Sequence, residues 1–441
     1  AVWTVMYNAD LMLKALVGLT SRFGKIRPVL VTAVAYPMNA KFRTGLTLAM
    51  FSLVIFTLMV MSLVNNAFKN VFSDTDRITG QWDISATVSP NSPVTDVLSG
   101  IETSPFIAAS DFDAIGGYVE GAVKVRQIGT NNKIWESYTV IVGDDDFLSN
   151  SRYNFKIFGE GYSTNAQIWS ALAADPKLAV IDIGAISDDD GGFREPSGSL
   201  KIEGVKLEDE VMTPFIIEVE EPRSGRQFQY EVIGILDSAA DLSGIVASKS
   251  SVDAALPFPI PITTYRFRTI DNSDVRKISK GLESTFVRNG MESTVLGDEL
   301  AETVSFITSF YNLVTGYMGL GLVVGIAALG VVSMRAVVER RQQIGVLRAI
   351  GYRRRMVQLS FLIESSFVAL LGIAIGVALG TVISYNVVSE IQNELDGIKF
   401  SVPWTQICII IGIAYFFSLL TTFLPARQAS NILPAEALRY E

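Results

Sequence analysis

Apolar positions along this chain follow two rhythms. Long uncharged runs occupy both ends, and short alternating runs punctuated by Gly, Pro, Asn and Asp fill the middle. Leu46 to Val64 runs 19 residues without a charge, the length of a membrane-crossing helix. Thr303 to Met334 is uncharged over 32 residues. At a helical rise of ~1.5 Å per residue it exceeds a bilayer core of roughly 30 Å, so part of it projects as a stalk. Two further apolar runs follow, from about Met356 to Ser389 and from about Phe400 to Ala426. Between the first and second runs, period-two patterns predict strands at Trp82–Val88, Val119–Ile128, Tyr138–Val142, Ala179–Ile183 and Phe228–Leu236. Thr264–Ile270, Asp274–Val287 and Glu292–Leu296 read strand, helix, strand, and the stretches starting at Glu208 and Phe228 read as rungs of a small β-subdomain. The predicted fold class is an α-helical membrane protein: four transmembrane helices with a large α+β extracytoplasmic domain, in two parts, inserted between the first and second.

Charge gives this pattern a direction. The net charge of −9 hides a split, because residues 66–302 carry 37 acids against 20 bases while the remainder is basic. Arginines and lysines flank the apolar runs on one side, and that side is cytoplasmic by the positive-inside bias. The division follows: 1–45, an N-terminal cytoplasmic or interfacial segment whose first 22 residues are either the end of an earlier membrane helix or an interfacial helix; 46–65, the first membrane helix; 66–302, the extracytoplasmic domain; 303–334, stalk and second helix; 335–355, a cytoplasmic turn; 356–389, the third helix; 390–399, an outer loop; 400–426, the fourth helix; and 427–441, a cytoplasmic tail. Because the first residue is Ala1, a longer protein trimmed at its N-terminus is expected.

Candidate chemistry is sparse. The chain has no histidine, which removes His-based triads and HExxH metal sites, and its one cysteine, Cys408, lies in an apolar run. Gly18 to Ile26 superficially resembles a P-loop but has one residue too many and no Ser or Thr after Lys25. The aspartate runs Asp144–Asp146 and Asp188–Asp190 lack the spacing of a calcium loop and read as solvated. No catalytic, cofactor-binding or metal residue is expected, and the chain is not expected to be an enzyme.

The informative stretch is the turn at 335–355, where seven arginines face one acid, Glu339. An ordinary basic loop explains the arginines but not the apolar insert Ile344-Gly345-Val346-Leu347-Arg348-Ala349-Ile350-Gly351, which suits a docking surface. A single helix through it puts Arg341 and Arg348 on a stripe with Val337 and Ile344, so a break near Gly345 or Gly351 is expected. Glu364, inside the third helix, is either paired with an arginine such as Arg355 or partners a neighbouring helix. Gly372, Gly376 and Gly380 recur every four residues, which permits close helix packing, within the bundle or at a dimer seam.

The stretch from Glu339 to Val357, followed by the run from Phe361 to Gly380, resembles the signature of the FtsX-like permease family of ABC transporters. The ending from Leu424 to Glu441 is similar to that family's C-terminal pattern, and the length of the inserted domain is similar to MacB-type members. The resemblance implies a permease subunit working by mechanotransmission, with a separate ATPase dimer docked on Glu339, Arg340, Arg341, Ile344, Gly345, Leu347, Arg348 and Gly351. It implies ATP and Mg on that partner, and a second permease copy or a homologous permease half beside this one. An extracytoplasmic substrate-binding or envelope protein and membrane lipids are the remaining expected partners, with no nucleic acid. The function implied is export or extraction of a lipoprotein, peptide or amphipathic small molecule across the inner (cytoplasmic) membrane, with both chain ends cytoplasmic. The alternative is a membrane-anchored sensor or scaffold that binds envelope components without transport.

Overall fold

A computed structural model describes residues 2–7, 33, 41–71, 74–130, 134–186, 200–256, 260–394 and 398–433. Most of segment 1–45, the P-loop-like stretch, Asp188–Asp190 and the tail from Pro434 onward lie outside the described residues. The chain divides into two units: Ala1–Ala67 with Ile307–Ser389 and Phe400–Glu441, and Phe68–Phe306 with Glu390–Lys399. The principal helices are α1 (Lys41–Val71), α2 (Asp145–Asn150), α3 (Asn165–Ala174), α4 (Lys249–Ala255), α5 (Val275–Thr285), α6 (Leu296–Glu339), α7 (Arg341–Ala349), α8 (Arg354–Glu394) and α9 (Trp404–Asn431). The strands are β1 (Ile84–Thr87), β2 (Phe112–Gln127), β3 (Glu136–Gly143), β4 (Phe155–Gly159), β5 (Leu178–Ile181), β6 (Val211–Met212), β7 (Phe215–Glu220), β8 (Gln227–Leu236), β9 (Ile245–Ser248), β10 (Thr264–Thr269) and β11 (Glu292–Val295).

In the first unit, α1, α6, α8 and α9 are long and apolar enough to cross a membrane. Each outruns its charge-free stretch, because good helix formers continue the hydrogen-bond ladder past the apolar core. The first helix therefore begins at Lys41 rather than 46, and the fourth begins at Trp404, after the non-helical residues Phe400–Pro403. Leu48, Phe51, Ile55 and Met59 of α1 pack with Leu322 and Ile326 of α6 and Val368 and Ala369 of α8. The three glycines of α8 accept this helix. A Cβ at Gly372 would stand 2.9 Å from the Phe51 ring, one at Gly376 2.8 Å from both Ile55 Cβ and the Ser52 carbonyl, and one at Gly380 2.6 Å from Met59 Cβ. Gly every fourth residue on one helix meets Phe51, Ile55 and Met59 every fourth residue on the other, so this stripe is spent inside the chain.

The second unit turns on β2. Its first half pairs antiparallel with β10, which leads on to β1 and β11. Its second half enters a closed ring in which β2, β3, β9, β5, β8 and β7 each pair with the next and β7 returns to β2. Alternation sends Val123, Val140, Ile181, Tyr230 and Ile245 into the ring's interior. The opposite faces of the same strands, carrying Ile141, Val180, Ile233 and Val246, pack with Phe147 of α2 and Trp169 of α3. A further core, with Ile84, Phe267 and Leu282, lies between the open part of the sheet and α5. From the stretch starting at Glu208 the short strand β6 pairs with β4, and β4 in turn pairs with β8. Asp144 caps α2 by accepting from the Phe147 N–H at 2.7 Å.

The helix α6 starts in this unit and leaves it. Leu296, expected to close the last strand, instead opens the helix, with its N–H on the Asp83 carbonyl at 2.9 Å. Asp298 in the first turn takes both arms of Arg276 at 2.6 and 2.7 Å, where a carboxylate also suits the helix dipole. The ladder then runs without interruption to Glu339.

Candidate functional site

The basic turn folds as a helical elbow rather than an open loop. The chain breaks at Arg340, forms α7, breaks again over Ile350–Arg353 and resumes as α8 at Arg354. Gly351 adopts φ +110°, a backbone that only glycine takes without strain, and this fixes the second break there. Gly345, the other candidate for a break, lies within α7 and is buried.

Two arginines hold the elbow from inside. Arg340, 8% exposed, reaches back to α8, where its Nη1 and Nη2 donate to the Glu364 carboxylate at 2.8 and 2.5 Å. Its guanidinium also lies 5.4 Å from the centre of the Phe361 ring. A forked donor on a carboxylate is the geometry that makes such a group tolerable inside a membrane helix. Arg340 thus takes the role the sequence offered to Arg355, which is exposed. Arg348 Nη1 donates to the Ile432 carbonyl at 2.5 Å and, at 3.4 Å, to that of Ser430, closing the carbonyl end of α9. Around them Ile344, 2% exposed, packs with Val337, Val357, Phe361, Ala426 and Ala429.

The expected docking residues divide between the faces of α7 and its flanks. Arg340, Ile344 and Gly345 turn inward, while Arg341, Leu347 and Arg348 are half-buried. Of the expected set, Glu339 and Gly351 are exposed, with Glu339 held by Arg335 at 2.7 Å. The outward face is Gln342, Gln343, Val346, Ala349 and Ile350, bordered by Arg353, Arg354 and Arg355. Val346 is 44% and Ile350 75% exposed. Both belong to the apolar insert Ile344–Gly351 that the sequence marks out, though not to the individual docking residues expected there. What the elbow offers chemically is a knob: an apolar centre with a basic rim, on a helix tied to α8 by a charge pair and to α9 by backbone bonds. Among the described residues no cluster of His, Cys, Asp and Glu could hold a metal ion.

Residues 316–434 match the family model described as FtsX-like permease C-terminal, which spans the elbow and both helices after it. Among curated proteins, the macrolide export ATP-binding/permease protein MacB of Acinetobacter baylyi is 23% identical over 344 residues, covering 72% of this chain and 50% of its own. An uncharacterised ABC transporter permease of Methanocaldococcus jannaschii is 25% identical over 177 residues, covering 39% of this chain and 44% of its own. The MacB protein of Brucella abortus is 36% identical over 120 residues, covering 27% of this chain and 18% of its own. This chain spans half or less of the length of these relatives. Among solved structures, the periplasmic region of MacB from Actinobacillus actinomycetemcomitans aligns over 53% of this chain and 97% of its own, at 10% identity and TM-score 0.32.

Proposed function

The chain belongs to the FtsX-like permease family of ABC transporters, and from that premise we propose that it is the membrane subunit of an ATP-driven complex. It carries no ATPase of its own in this reading, and ATP and Mg sit on a separate partner. That ATPase docks on the outward face of α7, with Val346, Ala349 and Ile350 in its groove and Arg353–Arg355 against its acidic rim. The observation carrying the reading is the knob itself, exposed apolar residues on a short helix whose other face is anchored to two membrane helices. An anchored knob transmits displacement, whereas a floppy loop would absorb it.

Movement leaves by α6, a single helix of 44 residues from Leu296 to the elbow. The elbow and both chain ends lie on the cytoplasmic side and the acidic domain outside. A second permease copy stands against α6, whose exposed Phe310, Leu313, Tyr317, Leu320, Val324 and Val331 follow a heptad spacing. The work is export or extraction of a lipoprotein, peptide or amphipathic small molecule; the macrolide-export relatives favour a molecule with a large apolar surface.

Co-purification of the full chain with candidate ABC ATPases tests the docking face. Val346→Asp and Ile350→Asp are expected to abolish association and ATPase stimulation while leaving the melting temperature of the permease unchanged. Unchanged association in both variants would remove α7 as the docking element.

A further inference from the structure

The handover of β2 from one sheet to the other leaves a gap. β10 runs beside β2 only as far as Tyr118, and β7 takes up the same edge only from Lys124. Between them, Val119 to Val123 is paired with β3 on one edge and, among the described residues, with no strand on the other. The parity of that free edge follows from its ends. Tyr118 presents its carbonyl there, to the Thr263 N–H at 3.3 Å, and Ile128 presents its N–H there, to the Ile216 carbonyl at 2.9 Å. Even-numbered residues of β2 therefore aim their backbone groups at the gap, and no register shift interrupts the pairing of Tyr118–Val125 with β3. Glu120 and Ala122 accordingly direct two N–H and two C=O groups into it, and among the described residues no backbone hydrogen bond meets them.

The gap opens onto a hollow rather than a flat surface. A cavity of about 660 Å³ is lined by Val119, Val123, Val140, Phe228, Tyr230 and Leu256. Gly121 also lines it, and a Cβ built there meets no atom within 4 Å. A bare strand edge and an apolar hollow thus share one opening, rimmed by Glu120 and Arg223.

We propose that this gap binds an extended polypeptide segment from another protein, which completes the edge of β2 as an added strand and seats a bulky apolar side chain over Gly121. The donor and acceptor pattern selects the occupant. Alternating N–H and C=O groups along one straight edge are matched by another strand, and by neither a lipid chain nor a compact drug. The direction is set too. β7 and β10 both run antiparallel to β2, so a segment antiparallel to β2 fills the line between them. The gap takes about five residues of it, at ~3.4 Å each. Unpaired edges of this kind are ordinarily blunted or covered, and here the cover is left to the partner. The proposal lies in the outer unit and goes beyond the permease reading: loss of ATPase stimulation would leave it standing, and loss of peptide binding would leave the docking face standing.

The test uses the full chain in lipid nanodiscs and a fluorescein-labelled, end-blocked octapeptide of alternating threonine and valine with a central phenylalanine. Saturable binding is expected by fluorescence anisotropy. N-methylation of the peptide amides on one edge, which spares its side chains, is expected to weaken binding by at least about tenfold. Ala122→Pro removes only the N–H that faces the gap and is expected to do the same. Gly121→Leu, which fills the hollow without touching the edge, keeps the test readable if the proline variant melts early, and it too is expected to weaken binding. Equal affinity for the methylated peptide would make the hollow a simple greasy slot and overturn the proposal. Absence of saturable binding up to about 1 mM would overturn it as well.

Discussion

The two units break opposite rules, and each break marks a place of interest. In the second unit apolar side chains are mostly inside, and the anomaly is a strand edge that no described strand pairs. In the membrane unit apolar side chains cover the outside as well, so an exposed apolar residue marks a site only where its spacing or anchoring sets it apart. There the anomaly is a buried charge, the Arg340–Glu364 pair. One physical cost underlies both readings, that of a polar group without a partner in a place water does not reach. In water the cost is small and a bare edge can wait for a partner. In a bilayer it is large, so the charge must be paired within the chain.

The sharpest way to break this comparison is to remove one half of the pair. Arg340→Ala takes the forked donor away from the Glu364 carboxylate and is expected to cost about 3–5 kcal/mol, read as loss of the monodisperse peak in detergent. Arg340→Met combined with Glu364→Leu should recover most of that stability, because no uncompensated charge remains. A double variant as unstable as the single one would mean that the pair fixes geometry rather than charge. Next in size is the contrast between the two faces of α7. Ile344→Ala is expected to lower stability by about 2–5 kcal/mol, whereas Val346→Ala should stay within about 0.5 kcal/mol. Thermal melts of the purified chain decide between them, and an equal loss in both would deny that α7 has an inner and an outer face.

The helix contact of α8 gives a smaller effect. Gly376→Leu must push α1 away at the Ser52 carbonyl and is expected to cost roughly 1–3 kcal/mol. Gly319→Leu, on α6 where an added Cβ meets nothing within 4 Å, should leave the melting temperature unchanged. If the two glycines behaved alike, the stripe on α8 would not be the α1 contact.

Smallest is a pH effect in the outer unit. Burial pushes the Asp144 carboxyl above the usual carboxylate range, against the pull of the Gly117 and Phe147 N–H groups. A raised value in the folded state means that the stability from this group is fully present below the unfolded value and lost as the pH rises through the folded one. The stability of the chain relative to Asp144→Asn should therefore shift toward the chain as pH falls from 7 toward 4. Melts across that range check the sign, and an opposite slope would mean that the N–H groups outweigh burial.

Much of the plan was legible from the residues. Runs such as Leu46–Val64 carry their own instruction, because a charge-free stretch of that length has few stable environments besides a bilayer. The strands at Phe228–Leu236 and Tyr138–Val142 were readable because alternation is a local property. The elbow was legible as a place, and so were its break at Gly351 and an arginine partner for Glu364, but not which arginine that is. Whether an arginine faces water or a carboxylate depends on what stands opposite, and Glu364 lies 24 positions from Arg340.

By itself, the sequence determined which segments are apolar, where the basic elbow sits, and that glycines punctuate α8. Only the tertiary structure decided that Gly372, Gly376 and Gly380 receive α1, that Arg348 closes α9, and that β2 is shared between an open sheet and a ring. The reason is range. Hydrophobic period is written in neighbouring residues, but the partner of a buried charge, a small-residue stripe or a strand edge is chosen by chain closure over long distances. The gap beside Glu120 and Ala122 is a product of that closure, arising where two pairings of one strand fail to meet.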